Sequence, residues 1–286
     1  MSTTTLQAFL RDRRSRLDPT PRGRRRTPGL RREEVAARAG VSVTWYTWLE
    51  QGRSGVTPSD DLLERLARAL ELDATNREML FLLAHPPRPV APAVVTPSLQ
   101  RVLDAIATPA FIKTPTFQIV AWNRASIAVL GDYGAVPERE RNLLRRVFAP
   151  GSEQRVADVE AVRRSCLASF RVDIARAGHS EEAQALIDEL MGTSPEFCRL
   201  WAEGEIRSHS RVQKRIIRPP VGEIVLESTV FPIEGSDGLA MFVFAPADEA
   251  SARAVERLVR TNQDARQRSA SHIRRPRARV GGGRAS

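Results

Sequence analysis

The spacing of apolar residues predicts a chain that begins with short amphipathic helices. In the first eighty residues, apolar side chains recur three and four positions apart, as they do along one face of a helix. This spacing predicts five helices: Leu6–Leu17, Leu30–Ala39, Ser42–Gln51, Ser59–Leu70 and Asn76–Leu83. Residues 1–84 are therefore predicted to form a small all-α domain.

The second and third predicted helices are joined by a short turn at Gly40, where a positive φ costs glycine little. Ser42 follows as a predicted N-cap, and Gly52 closes the third helix. Tyr46 and Leu49 lie at helical spacing, so they can pack back on the preceding helix. This is the pattern of a helix-turn-helix, whose second helix enters the major groove of DNA. An ordinary helical hairpin is the alternative, but it does not account for the surrounding basic charge.

A proline-rich linker is predicted at residues 85–97, because five prolines there exclude a helix. Residues 98–248 mix both element types, which predicts an α+β layout with the outline of a PAS-like domain. The predicted strands are Ala110–Lys113, Phe117–Trp122, Arg211–Arg218, Glu223–Phe231 and Gly238–Phe244. The predicted helices are Arg124–Leu130, Asn142–Phe148, Ala157–Ala175, Gln184–Met191 and Pro195–Glu203. A C-terminal helix is expected at residues 249–262, followed by a basic, disordered tail at 263–286.

The net charge of +10 is concentrated at the two ends of the chain. Residues 1–60 hold 12 Arg and 6 acidic residues, and residues 260–286 hold 8 Arg and 1 acidic residue. The ends therefore carry +6 and +7, which leaves −3 for the middle. This distribution favours a nucleic-acid-binding head, a sensing body and a basic tail. A membrane surface fits less well, because no basic run accompanies a long apolar face.

Other function classes lack their signatures. No apolar leader follows Met1, and no run of about 18 apolar residues could span a membrane. We expect a cytoplasmic protein in which Cys166 and Cys198 stay reduced. The four histidines and two cysteines lack metal-ligand spacing, and the catalytic motifs of hydrolases, zinc proteases and phosphate-loop enzymes do not occur. We therefore expect no enzyme activity, metal or cofactor.

Two resemblances extend this prediction. Ala36, Ala39, Gly40, Val41, Ser42, Tyr46, Glu50 and Gly52 resemble the XRE, lambda-repressor-like class of helix-turn-helix proteins. Seven ordered blocks resemble the MmyB-like family of transcription regulators: Arg26–Ala36, Trp45–Arg53, Pro58–Leu70, Ala121–Ala125, Arg141–Leu144, Ser194–Ala202 and Val221–Leu226. The second resemblance implies an XRE-type head, a PAS-like ligand-binding domain and ligand-responsive transcription control. Arg218, where a histidine is expected, and Arg145-Arg146, where apolar residues are expected, depart from that pattern.

The candidate DNA contacts follow from position in the motif. Ser42, Val43, Thr44, Trp45, Thr47 and Trp48 lie on or beside the outward half of the second helix. Thr44 and Thr47 can contact a base or phosphate, and Val43 a thymine methyl. This set is poor in Arg, Asn and Gln, the side chains that can form two hydrogen bonds with one base. Part of the sequence specificity is therefore expected to come from DNA shape. Trp45 and Trp48 could equally pack on the domain instead of contacting DNA. Phosphate contacts are expected from Arg31, Arg32, Arg53 and the loop residues Arg24, Arg25 and Arg26, although the loop run could simply be solvated.

The candidate ligand contacts are apolar rings and two cations of the second domain. They are Phe111, Trp122, Phe148, Phe170, Phe197, Trp201, Arg215 and Arg218. Core packing is the alternative for each ring, and an exposed surface position is the alternative for each arginine. This mixture suits an apolar or amphipathic molecule with an anionic head, such as a fatty acid.

Three functions compete on this evidence. The first is a regulator that binds a DNA operator as a homodimer, with the dimer contact in the second domain. One half-site contact is seldom sufficient at physiological salt, which favours the dimer. The second function is an enzyme, against which the missing motifs argue. The third is a nonspecific DNA-binding or protein-interaction protein whose second domain does not sense a ligand.

Overall fold

A computed structural model describes residues 5–18, 29–53, 55, 57–86, 94–154, 156–178, 180–204, 213–236 and 238–273. Its first part, here called the head, contains five helices. They are α1 (Leu6–Arg16), α2 (Arg32–Ala39), α3 (Val43–Gln51), α4 (Asp60–Ala69) and α5 (Ala74–Ala84). All five were predicted, with ends that differ by about two residues. The predicted all-α helix-turn-helix fold is confirmed.

The head is held together by one face of each helix. Leu10 of α1, Val35 of α2, Tyr46 of α3, Leu66 of α4 and Met79 of α5 are all completely or almost completely buried in one cluster. Short helices of this length are marginal alone, so this shared core stabilises them. The packing fixes α3 against α2 and leaves its other face outward.

The second part is built on a five-stranded antiparallel sheet. Its strands are β1 (Ala110–Lys113), β2 (Ile119–Trp122), β3 (Gln213–Arg218), β4 (Gly222–Pro232) and β5 (Ala240–Pro246), in the order β2-β1-β5-β4-β3. Phe111 of β1 and Val230 of β4 both face Phe242 of β5 in the register. The predicted α+β, PAS-like layout is thereby confirmed.

Helices cover the inner face of this sheet, where the larger hydrophobic core lies. They are α7 (Arg124–Val129), α8 (Leu143–Phe148), α9 (Val159–Arg176), α10 (Glu181–Thr193) and α11 (Pro195–Ala202), each close to its predicted range. The second predicted strand begins two residues late, because Phe117 has a φ of +63° and closes a turn on Thr114.

One helix was missed by the sequence analysis. Helix α6 (Pro97–Ala105) begins at the N-cap Thr96 and packs Leu103 against Ala110, Ile112 and Met241 on the outer face of the sheet. It therefore occupies the end of the predicted linker and the start of the next domain. Of the linker, residues 87–93 lie outside the described residues.

The last helix, α12 (Glu249–Ile273), runs 11 residues past its predicted end at residue 262. Residues 263–273 are helical, which corrects the tail predicted to start at residue 263. The physical reason is composition: Gln, Ala, Arg and Asp continue without Gly or Pro. Ala254 and Val255 bury the first half of α12 in the core. No helix in the described ranges has the length and apolar character to cross a membrane.

Candidate DNA interface and ligand pocket

The turn between α2 and α3 has the predicted geometry. Gly40 has a φ of +66°, and Val41 N donates to Ala36 O at 2.9 Å, which closes α2. Ser42 Oγ then accepts a hydrogen bond from Trp45 N at 3.1 Å and starts α3. The sequence thus fixes both helix ends locally, and α3 is presented at a defined angle.

The outward face of α3 carries the predicted base-reading residues. Val43 and Trp48 are 46% and 40% exposed, and Thr44 is also exposed. Thr47 is half-buried. Trp45 is half-buried against the head core, so the packing alternative holds for part of its surface. Helical spacing places Val43, Thr44, Thr47 and Trp48 on one side of α3, where a duplex could contact them.

A buried carboxylate anchors the end of α3 to two other helices. Glu50 is fully buried and accepts hydrogen bonds from Arg14 Nε at 2.8 Å, Arg14 Nη2 at 3.0 Å and Arg32 Nε at 2.9 Å. Burial pushes the pKa of Glu50 upward, but Arg14 and Arg32 outweigh that effect and hold it below its usual value. The three residues leave a net charge of +1 beside α3.

This network gives Arg32 a partner that the sequence analysis did not foresee. Its side chain is 41% exposed, so part of the guanidinium stays accessible while it pairs with Glu50, and the phosphate contact stays a prediction. Arg31 is the N-cap of α2, pairs with Glu33 at 3.2 Å and is largely exposed. The predicted contacts at Arg24, Arg25 and Arg26 lie outside the described residues.

Arg53 lies just beyond the end of α3 and is exposed. Its guanidinium carbon lies 5.7 Å from the centre of the Trp48 ring, within the range of a cation–π contact. The pair places a cation at the C-terminal end of the exposed α3 surface. A phosphate could bind there.

A half-open pocket lies between the inner face of the sheet and α7, α8 and α9. Its free volume is about 100 Å³. The wall is mainly apolar and includes two predicted residues, Phe111 and Arg218. It also includes Lys214, Arg146 and Tyr133, which the sequence analysis did not select. No Asp or Glu is among the described residues that line it.

Five predicted ligand rings do not line this pocket. Phe197 stacks on Trp201 with ring centres 5.5 Å apart, and Phe148 meets Phe197 edge-on. Phe170 contacts both Phe117 and Trp201. Trp122 packs against Tyr133. These five rings therefore pack in or against the hydrophobic core.

Arg215 also points away from the pocket. It is exposed and lies 3.8 Å from Glu223 on the neighbouring strand. Because side chains alternate along a strand, Lys214, Ile216 and Arg218 share the opposite face. The buried Ile216 identifies that inward face, so the alternation around it could have selected Lys214 instead of Arg215.

Both pocket arginines bind the C-terminal end of α7. Arg218 Nε donates to Val129 O, and Arg146 Nη2 donates to Leu130 O at 3.3 Å. Cations are favoured there by the exposed carbonyls and the helix dipole. Arg146 also lies 4.9 Å from the Tyr133 ring centre, and burial raises the pKa of Tyr133 to about 12. Arg146 and Arg218 are two of the three departures from the expected family pattern, and the pocket brings them together.

The third departure, Arg145, lies away from the pocket. It forms a two-point ion pair with Glu189 of α10, at 2.9 Å and 2.7 Å. Its role is therefore to join α8 to α10.

Helix α9 connects the pocket to the head. Val159 and Val162, near its N-terminus, line the pocket. Val172 and Ala175, near its C-terminus, are buried in the hydrophobic core of the head. Ten residues separate Val162 from Val172, which is about 15 Å of helix. One rigid element thus contributes to both sites.

Polar contacts surround this apolar docking. Arg176 binds Glu78 of α5 through two hydrogen bonds, and Arg13 Nη2 donates to Gly204 O at 2.9 Å. Arg16 donates to Glu203 O. Arg171 is buried over the Trp201 ring, 4.1 Å from its centre, and burial lowers its pKa to about 10. The head is therefore held by α9 and by the end of α11.

In the described ranges, no group of three or more His, Cys, Asp and Glu side chains is arranged to hold a metal ion. Cys166 is buried and Cys198 is half-buried, and both are free thiols.

The fold and these two sites define a class: a DNA-binding transcription regulator with a separate ligand-binding domain. The family model described as MmyB-like transcription regulator ligand binding domain matches residues 95–258, and one described as helix-turn-helix domain matches residues 6–80. The chain belongs to the MmyB-like transcription regulator family. Both families are domains of regulators, which are not enzymes. A search of curated proteins finds none that matches this chain.

Proposed function

We propose that this protein is a sequence-specific regulator whose affinity for a DNA operator changes when a small apolar or amphipathic molecule binds the pocket. The observation that carries the proposal is that α9 reaches both the pocket and the head. Its Val159 and Val162 line the pocket, while its Val172 and Ala175 complete the head core. A ligand that shifts α9 must therefore change the packing beneath the DNA-binding helices. This shared element is the kind of physical coupling that allostery requires.

The ligand is proposed from the chemistry of the wall. Val147, Val156 and Ile216 favour an apolar body. Arg146 and Arg218 place two positive charges at the α7 end of a wall that includes no described Asp or Glu, which favours an anionic head such as the carboxylate of a fatty acid. A cavity of about 100 Å³ is smaller than the ~150 Å³ cavity that holds a benzene molecule. A long chain would therefore extend through the open side or widen the pocket.

The DNA contact is proposed for the exposed face of α3 and its flanks. Val43, Thr44 and Thr47 would touch bases, while Arg31 and Arg53 would touch phosphates. A homodimer on a two-part operator is proposed because one head offers a single recognition helix. We place this protein in the cytoplasm, where it would meet DNA.

Selection from a random double-stranded library with the full-length protein tests the DNA contact. A discrete protected site in footprinting supports the regulator. Uniform coverage supports instead the nonspecific DNA-binding alternative. Thr44→Ala should weaken binding to the selected site more than to random DNA, whereas the exposed Val102→Ala on α6 should change neither.

Hexanoate and decanoate test the pocket. Each should bind the full-length protein in calorimetry and change its affinity for the selected site. Val159→Trp, which fills the pocket from a half-buried position, should abolish this binding, while Val102→Trp should not. Binding that survives Val159→Trp would place the ligand elsewhere.

A further inference from the structure

The two lysines of this chain are unusual in their placement. Of 44 basic Lys and Arg residues, only Lys113 and Lys214 are lysines, and both lie on strands of the ligand-binding domain. Each ammonium lies against a phenylalanine ring. Arginine keeps its proton at any physiological pH, whereas a buried lysine can lose its own. These two positions are therefore the side-chain amines through which the chain could act as a neutral nucleophile.

Lys113 is enclosed and paired. Its side chain is 1% exposed, and its Nζ lies 2.5 Å from Asp173 Oδ2. The Phe117 ring covers it, with the ring centre 3.8 Å from Nζ. Burial lowers the pKa of Lys113, Asp173 offsets part of that effect, and the ring blocks approach to the amine, so we assign Lys113 a structural role between β1 and α9.

Lys214 has the opposite surroundings. It lines the half-open pocket, and its Nζ lies 4.9 Å from the centre of the Phe244 ring. Lys214 is half-buried, so its amine can be reached from the pocket. Among the described residues, no Asp or Glu pairs with it, and desolvation lowers its pKa with no carboxylate to offset the effect. The neighbouring thiol of Cys166 is buried, and the pKa of that thiol is raised by burial, so it supplies no compensating anion at neutral pH.

We propose that Lys214 is a covalent anchor for an aliphatic aldehyde that enters the pocket. This inference rests on the proposed ligand-binding function and names a second head group for the same site. A desolvated lysine in an apolar pocket is the activated form of this nucleophile. The apolar wall suits an aliphatic chain, and an aldehyde carries no charge that must be desolvated on entry.

The reaction is a reversible condensation. The lone pair of Lys214 Nζ attacks the aldehyde carbon, and the carbonyl π electrons move to oxygen. Proton transfer through solvent gives a carbinolamine, whose hydroxyl leaves as water when the C=N bond forms. One amine and one aldehyde thus give one imine and one water, and no oxidant is consumed. The open side of the pocket lets the water leave.

Reductive trapping of the full-length protein with hexanal tests the proposal. Cyanoborohydride transfers hydride to the imine carbon and leaves a hexyl group, which peptide mass mapping locates. Hexyl label should appear on Lys214 at least about ten times faster than on Lys113, because neutral and accessible amines are the nucleophiles. The N-terminal amine, with an ordinary pKa of about 8, is an internal reference for unassisted reaction.

Lys214→Arg should remove the pocket label and keep the label on the N-terminal amine. Lys214→Met serves if the arginine variant misfolds, as judged by circular dichroism. Val159→Trp should slow labelling of Lys214 alone, and hexanoate should compete with hexanal. The proposal is overturned if Lys214 labels no faster than the N-terminal amine, or if filling the pocket leaves its rate unchanged. Hexanoate binding without Lys214 labelling would overturn the imine and leave the proposed regulator intact.

Discussion

Arg176 of the ligand-binding domain donates two hydrogen bonds to the Glu78 carboxylate of the head, at 2.6 Å and 2.8 Å. The two side chains are 49% and 41% exposed, so water screens their attraction. The pair therefore fixes the position of α5 on α9 more than it stabilises the fold. The apolar contacts beneath it, at Val172 and Ala175, supply the larger share of the docking.

Removal of this ion pair should have a small effect on stability. In a double-mutant cycle of Glu78→Ala and Arg176→Ala, the coupling in the free energy of unfolding should be about 0.2–1 kcal/mol. Urea unfolding at low and high salt measures it, and the coupling should shrink with salt. A coupling above about 2 kcal/mol would mean that solvent screens the pair less than its exposure implies.

Disruption of the apolar docking should have a large effect. Val172→Asp places a carboxylate in the head core and should lower the free energy of unfolding by about 2–4 kcal/mol. It should also separate the unfolding of the head from that of the ligand-binding domain in scanning calorimetry. Val102→Asp, at a position 55% exposed on α6, is the control and should stay within about 0.5 kcal/mol of the parent. A single unchanged transition in Val172→Asp would contradict the shared core.

The stability of the head should depend on pH through Glu50. Its pKa is lowered in the folded protein, so its ionised form stabilises the fold above the pKa of the unfolded chain. That contribution should be lost as the pH falls through the lower, folded pKa. Tryptophan fluorescence during urea unfolding at several acidic pH values measures the loss.

Glu50→Gln keeps the size of the side chain and removes its charge. The variant should be less stable by about 1–3 kcal/mol at neutral pH, because Arg14 and Arg32 lose a charged acceptor. It should also show a flatter dependence of stability on acidic pH than the parent. An identical pH profile in the parent and the variant would assign the acid sensitivity to other carboxylates.

The phosphate contacts should appear in the salt dependence of DNA binding. Arg53→Ala should weaken binding to all sequences about equally and reduce the slope of log affinity against log salt by about 1. Arg253→Ala, which removes an exposed arginine paired with Glu249 in the other domain, is the matched control. Equal slopes for the parent and Arg53→Ala would remove Arg53 from the interface.

The head was predictable because its signals are local. Ser42, Gly40 and Gly52 each fix a helix end through contacts a few residues away, and the structure has all three in place. The pairing of Arg14 with Glu50 spans 36 residues, and no short-range pattern reports it. The sequence therefore predicts the helices of the head better than the contacts that lock them.

The pocket was predicted less well than the domain that contains it. Aromatic residues were selected by size, yet Phe170, Phe197 and Trp201 fill the core because large rings bury the most surface. Lys214 alternates with the buried Ile216, and this alternation, which is present in the sequence, places Lys214 on the inward face. The docking of α9 on the head depends on tertiary packing between distant segments, which periodicity does not encode.

Because α9 contributes to both hydrophobic cores, it limits where the protein can be divided into separate domains. A fragment that stops near residue 84 would lose the cover that Val172 and Ala175 give to the helices before it. The apolar surface exposed in this way would favour self-association of the fragment. Chimaeras that fuse this head to another sensor domain should therefore carry a surface that packs against α5, since a helix of the natural sensor completes the core of the head.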